Sequence, residues 1–368
     1  GSFFGDPNAN VSGSEANTAI SVLVNNEFGD ALEPSDRKAA EDAQSRALRA
    51  RGLGVSVAWQ NERTGIADLV MDPSNPDKLF AAMWEFRRTP WDLTSGGPGS
   101  GLFVTYNGGD AWTQLSADDG LPEGELGRIG LAIAPSNPDV VYAIVEATQS
   151  ALIRSADGGR TWNTIDDAPG ANPRPFYYAD LRIDPDNENR LYRLSGSIQV
   201  SEDQGRNWRT VVPSQIVHGD VHELWIDPAD SRRMILGEDG GIALSYDRGD
   251  TWRFVENLAV AQFYHISVDD AVPFNIYGGL QDNGSWYGPS TVWENKGILN
   301  AHWRRVGGGD GFSVMPDRGD PDNFGYSMSQ GGNLQHFNKN TGARRSIRPV
   351  HPDGTAVGFN WNAGLTWN

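Results

Sequence analysis

The chain contains no cysteine, which excludes disulfides, thiolate nucleophiles and thiolate metal sites. It also lacks any apolar run approaching the ~20 residues that a membrane-spanning helix needs. Histidine is scarce, with six among 368 residues. Positive charge is in deficit: 30 Lys and Arg face 48 Asp and Glu, for a formal charge of −18. Such a chain repels polyanions, so neither nucleic acid nor an anionic bilayer is expected as a partner. Glycine, at 44 residues, and tryptophan, at 13, are what the sequence has in quantity. Many tight turns between wide packing faces follow from that pair.

Glycine and tryptophan meet in one octamer that occurs four times. Ser155-Ala156-Asp157-Gly158-Gly159-Arg160-Thr161-Trp162 is the reference copy. Ser201 to Trp208 and Ser245 to Trp252 repeat it closely, and Thr105 to Trp112 more loosely. The closing tryptophans are 50, 46 and 44 residues apart, and four-stranded propeller blades have periods of about 40–50 residues. Each octamer reads as a hairpin turn. The Asp or Asn accepts from nearby backbone N–H groups, the glycines permit positive φ, and the Trp clamps the turn to its sheet. These carboxylates are therefore expected to build turns, not to catalyse.

A second signal precedes each octamer, an apolar strand ending in a Pro turn. Ala67 to Pro73, Ile129 to Pro135, Ala179 to Pro185 and His222 to Pro228 are clear copies. Tyr264 to Asp270 and Asp310 to Pro316 are weaker. Together the signals predict an all-β fold, a β-propeller of four-stranded antiparallel blades, over 63–368. Six units fall at about 63–116, 117–167, 168–213, 214–257, 258–305 and 306–350. Gly354 to Asn362 reads as the first strand of a seventh. Residues 1–62 do not follow the repeat: a short helix is expected over Ser35 to Arg51, flanked by strands at Thr18 to Val24 and Val55 to Trp59. Those strands would complete the seventh blade, and seven blades are favoured over six.

The octamer resembles the Asp-box, or bacterial neuraminidase repeat, of sialidases, xyloglucan-cleaving propeller hydrolases and sortilin-type receptors. Asp72 to Pro76, Gly96 to Gly101, Arg174 to Tyr178, Gly279 to Gly284 and Phe359 to Asn362 are similar to large exported bacterial proteins. Those are described as glycosyl hydrolase or sortilin-like. The resemblance implies an extracellular or periplasmic protein whose ligand site lies on the blade face opposite the boxes.

The loops assigned to that opposite face are rich in polar and aromatic residues. Three readings compete for them. In glycoside hydrolysis two carboxylates flank the bond, about 5–5.5 Å apart for retention or about 6.5–9.5 Å for inversion. Asp220, Asp239, Asp282 and Asp310 are the candidates, although several sit beside glycine as turn formers do. Trp84, Arg174, Tyr177, Tyr178, His222, Tyr264, His265, Asn283, Trp286 and Gln330 are the expected substrate-binding residues. In a metal site, His218, Asp220 and His222 would share one side of an extended strand; hydrogen bonding among rim residues is the expected alternative, with no cofactor. In a receptor, the acidic mouth binds a peptide or protein without turnover. A carbohydrate-directed propeller, with a polysaccharide or oligosaccharide as partner, is the reading carried forward.

Overall fold

The computed structural model describes residues 63–366 apart from Pro90, 212–215 and Ala259. The expected N-terminal helix and its two flanking strands lie outside the described residues. Among the described residues no helix is long and apolar enough to cross a membrane.

The fold class is the expected one: all-β, of β-propeller type, built from four-stranded antiparallel blades, the first of which carries an extra strand. The first sheet holds β1 (Thr64–Asp72), β2 (Asn75–Thr89), β3 (Asp92–Ser95), β4 (Gly101–Thr105) and β5 (Thr113–Gln114), with β3 the extra strand, paired to β2. The second runs through β6 (Leu126–Ile133), β7 (Val141–Ala147), β8 (Ala151–Ser155) and β9 (Asn163–Asp166). In the third are β10 (Asp180–Asp184), β11 (Asn187–Leu194), β12 (Ile198–Ser201) and β13 (Arg209–Thr210). The fourth has β14 (Val221–Ile226), β15 (Met234–Glu238), β16 (Gly241–Ser245) and β17 (Arg253–Phe254). The fifth comprises β18 (Phe263–Val268), β19 (Asn275–Leu280), β20 (Gly284–Pro289) and β21 (Arg304–Gly307). The sixth closes with β22 (Gly311–Pro316), β23 (Phe324–Ser329), β24 (Asn333–Asn338) and β25 (Arg344–Ser346).

By internal packing the chain divides into two units. One takes the described residues up to Glu238 together with Ile242–Phe254; the other takes Asp239–Gly241 and the described residues from Val255 onward. In the first unit the core lies between successive sheets. Phe80, Leu102, Val104, Ile129, Val141, Ile153 and Trp162 fill the space between the first two. In the second unit Tyr277, Val306, Val314 and Phe337 do the same between the fifth and sixth sheets.

The four octamers form the turns their residues dictate. Ser155 Oγ donates to Asp157 Oδ1 at 2.7 Å and accepts from the Gly159 N–H at 2.9 Å. Asp157 Oδ1 accepts from the Thr161 N–H at 3.0 Å, and Oδ2 from the Thr161 hydroxyl at 2.7 Å. Asp203 and Asp247 repeat these bonds with Asn207 and Thr251. Burial would raise the Asp157 pKa, yet the donors from Thr161, Ser155 and Arg160 outweigh it and hold the carboxyl at about 2. A carboxylate so saturated by its own turn is structural.

Two strand expectations are corrected. Gly354 to Asn362 forms no strand; only an isolated bridge joins Val350 to Ala356. The segment instead lays its last residues against the sixth blade, where Gly331 N–H donates to the Trp361 carbonyl at 3.1 Å. The other concerns Trp84, placed among the loops of the ligand face where the second strand ends. It lies within β2, which continues to Thr89 and pairs back on β3 as a hairpin.

Candidate functional site

In the first unit the β2–β3 hairpin meets the loop that leads into β10. Alternation along β2 turns Trp84, Phe86 and Arg88 to one side. Trp84 stacks on Phe86 with ring centres 4.2 Å apart and meets the edge of Phe176 at 5.0 Å. Phe176 contacts Tyr177, Tyr177 contacts Tyr178, and Tyr178 lies 5.6 Å from the His222 ring. The result is a continuous aromatic floor. Trp84 is buried, and its Nε1 donates to Ser95 Oγ at 2.9 Å, so it supports the floor from below.

Guanidinium groups stand on this floor. Arg174 lies 4.9 Å from the Tyr177 ring centre and 5.4 Å from that of Tyr178. Arg88 lies 5.5 Å from Tyr177, and Arg128 lies 5.4 Å from Trp84. Arg128 is anchored through Nη1 to the Phe176 carbonyl at 2.9 Å, whereas the Arg174 side chain is 60% exposed. Trp91, beside the hairpin tip, is 85% exposed.

His218, Asp220 and His222, the residues of the metal-site reading, do not share one side of a strand. Asp220 has φ +59 and β14 starts only at Val221, so the alternation fails where it is needed. Asp220 pairs with Arg174 at 3.7 Å, and His218 Nδ1 sits 3.0 Å from the Gly219 carbonyl. Among the described residues no three His, Cys, Asp or Glu side chains are placed to hold a metal ion.

In the second unit the acidic candidates are engaged in turns. Asp310 is buried; its Oδ1 accepts from the Asp282 N–H at 2.8 Å and its Oδ2 from Trp361 Nε1 at 2.9 Å. Asp282 takes φ +58 in the turn before β20. Asn283 Nδ2 donates to the Asp239 carbonyl at 2.9 Å, and Trp286 Nε1 to the Asn283 carbonyl at 2.7 Å. Tyr264 packs on Phe312 at 4.5 Å. Its pKa is raised by burial first, then by the charges of Asp310 and Asp282. His265 Nε2 lies 3.2 Å from Asn362 Oδ1, and the Gln330 N–H donates to the Asp310 carbonyl at 3.1 Å.

A group that the sequence reading passed over is Asp68. It occupies the second position of the Pro-ended strand motif, as Asp180 and Glu223 do in their sheets. Arg182 bridges Asp180 and Glu223. Asp68 accepts from the Leu131 N–H at 2.8 Å. Burial foremost, and then the charge of Asp180, push its pKa up to about 7. The recurrence of a carboxylate at that motif position was the available signal.

No protein-family model matches the chain. It is 26% identical over 197 residues to the oligoxyloglucan-reducing end-specific xyloglucanase of Emericella nidulans, spanning 50% of this chain and 23% of that protein. The chain therefore spans about a quarter of that relative's length. Among solved structures it resembles a GH74 xyloglucanase from Xanthomonas campestris, at 15% identity and TM-score 0.36, covering 77% of this chain and 45% of that one. YCF48 from Cyanidioschyzon merolae is similar at 17% identity and TM-score 0.36, covering 79% and 86%.

Proposed function

We propose that this protein is an exported, carbohydrate-directed propeller that binds a xyloglucan-type polysaccharide on the floor running from Trp84 to His222. The observation that carries the proposal is the set of guanidiniums on aromatic rings, Arg88 and Arg174 over Tyr177. Sugar rings pair an apolar C–H face with a hydroxyl edge. An aromatic floor takes the first, and guanidinium N–H donors take the second. The partial likeness to a xyloglucanase supports the polysaccharide class. Calorimetric titration with xyloglucan oligosaccharides tests it: saturable binding that Arg88→Ala/Arg174→Ala removes is expected. Equal affinity in that variant, or binding only to a peptide library, would overturn it.

Hydrolysis is the second reading, and the partial likeness to a xyloglucanase favours it. The test is release of new reducing ends from the same oligosaccharides. Turnover supports hydrolysis; binding without turnover leaves a binding module.

A further inference from the structure

We infer a separate small-ligand site in the second unit, a cavity between the fifth and sixth sheets that takes a single sugar acid. The cavity has a volume of about 430 Å³, within the ~300–1,000 Å³ of ordinary small-molecule sites. Three of its lining side chains end in buried oxygens that make no hydrogen bond to any described residue: Ser285 Oγ, Gln330 Oε1 and Gln335 Oε1. Ser285 is fully buried. An unmet buried polar group is costly, and here the three gather on one space. Two of them are amide carbonyls, so the cavity calls for hydrogen-bond donors.

Beside these oxygens the lining is stripped of side chains by Gly307, Gly308 and Gly309. Gly309 has φ +71, and a Cβ there would fall 2.4 Å from Gln330 Oε1. Glycine therefore both permits the turn and leaves the Gln330 amide its place. Arg344 is the one charged residue among the lining, and no carboxylate accompanies it. In a chain of formal charge −18, a cavity holding an arginine and no acid selects an anion. The ligand that satisfies both demands is polyhydroxylated with one carboxylate. Its hydroxyls donate to Gln330 and Gln335, and its carboxylate receives the guanidinium of Arg344.

The inference does not rest on the aromatic floor, so the two can fail separately. The test titrates the full chain with sodium glucuronate, glucose and trigalacturonate, in the wild type, Arg344→Gln and Gln335→Leu. Glucuronate is expected to bind the wild type at least tenfold more tightly than glucose. Arg344→Gln should remove that preference while its melting temperature holds, because the residue is exposed. Gln335→Leu should weaken both sugars. Binding of trigalacturonate as well would identify the end of an acidic chain as the source, and binding of glucuronate alone a free sugar acid. Equal weak binding of glucose and glucuronate overturns the inference. So does absence of binding with Gln335→Leu raising the melting temperature, the behaviour of a cavity that holds only water.

Discussion

The Asp68 carboxylate accepts a 2.8 Å hydrogen bond from the backbone N–H of Leu131, one residue past a glycine with no space for a side chain. A Cβ on Gly130 would fall 1.7 Å from the Ala179 carbonyl oxygen. The strands β6 and β10 thus close on each other backbone to backbone, and Asp68 reaches across from β1. Its burial there raises the pKa to about 7, against ~3.9 in an unfolded chain. Folding takes up a proton between those values. The contribution of Asp68 to stability is therefore full below about pH 4, falls as pH rises toward 7, and is flat above.

Asp68→Asn keeps a carbonyl oxygen for the Leu131 N–H and removes the charge. Its melting temperature should match the wild type at pH 4 and exceed it at pH 8. An offset that is the same at both pH values would show that Asp68 is not protonated in the fold.

The turn carboxylates carry the opposite sign. Asp157 and Asp203 are both held at about 2, Asp203 chiefly by the Asn207 side chain. Their stabilisation is present above the unfolded value of ~3.9 and is lost as pH falls from there toward 2. Acid unfolding followed by tryptophan fluorescence should begin within that window. Asp157→Asn/Asp203→Asn should flatten the wild-type slope between pH 4 and pH 2. An unchanged slope would remove these turns as its source.

The second glycine of the box is a packing residue. Gly159 has φ +90, and a Cβ would lie 2.2 Å from the Phe80 ring. Gly158 has φ +74, but its nearest neighbour is an Asp139 side-chain oxygen at 3.3 Å. Left-handed backbone costs a non-glycine residue roughly 1–3 kcal/mol, and overpacking adds about 1–3 kcal/mol. Gly159→Ala should therefore destabilise more than Gly158→Ala in denaturant titration. Trp162, buried against Phe80 with Nε1 on the Gly159 carbonyl, should cost about 3–5 kcal/mol as Trp162→Ala.

The boxes were legible because their bonds are local and repeated. Ser155, Asp157 and Thr161 satisfy one another within a few residues, so the octamer states its own structure. The hairpin holding Phe86 and Arg88 was not legible, since among the described residues only the first sheet has it and no repeat points to it. Asp68 was missed for another reason. Its chemistry is set by Leu131, 63 residues on, and by Asp180 in a third sheet. Asp310 shows the converse case. Its spacing marks a rim carboxylate, while the structure gives both its oxygens to Asp282 and Trp361.

That placement makes Asp310 a test of role. Asp310→Asn leaves one acceptor but turns an amide donor toward either the Asp282 N–H or Trp361 Nε1. Losing one such buried bond costs about 1–3 kcal/mol. The variant should melt earlier and show altered Trp361 fluorescence. A loss of oligosaccharide binding with an unchanged melting temperature would instead assign Asp310 to a ligand.

Arg174 allows fold and ligand binding to be separated. It has φ +52, a conformation that favours glycine, and its carbonyl accepts from the Tyr177 and Tyr178 N–H groups at 3.0 Å each. Arg174→Gly keeps those backbone bonds and relieves roughly 1–3 kcal/mol of strain. It forfeits an exposed cation–π contact of about 0.5–1 kcal/mol and a surface ion pair to Asp220 of about 0–1 kcal/mol. The terms nearly cancel, so the melting temperature should stay level or rise. Binding of xyloglucan oligosaccharides should nevertheless weaken about tenfold, the equivalent of ~1.4 kcal/mol, because the guanidinium that meets the sugar hydroxyls is gone. Calorimetry and thermal unfolding on one preparation read both quantities. Unchanged affinity would remove Arg174 from the floor, and a large fall in melting temperature would make it a structural residue.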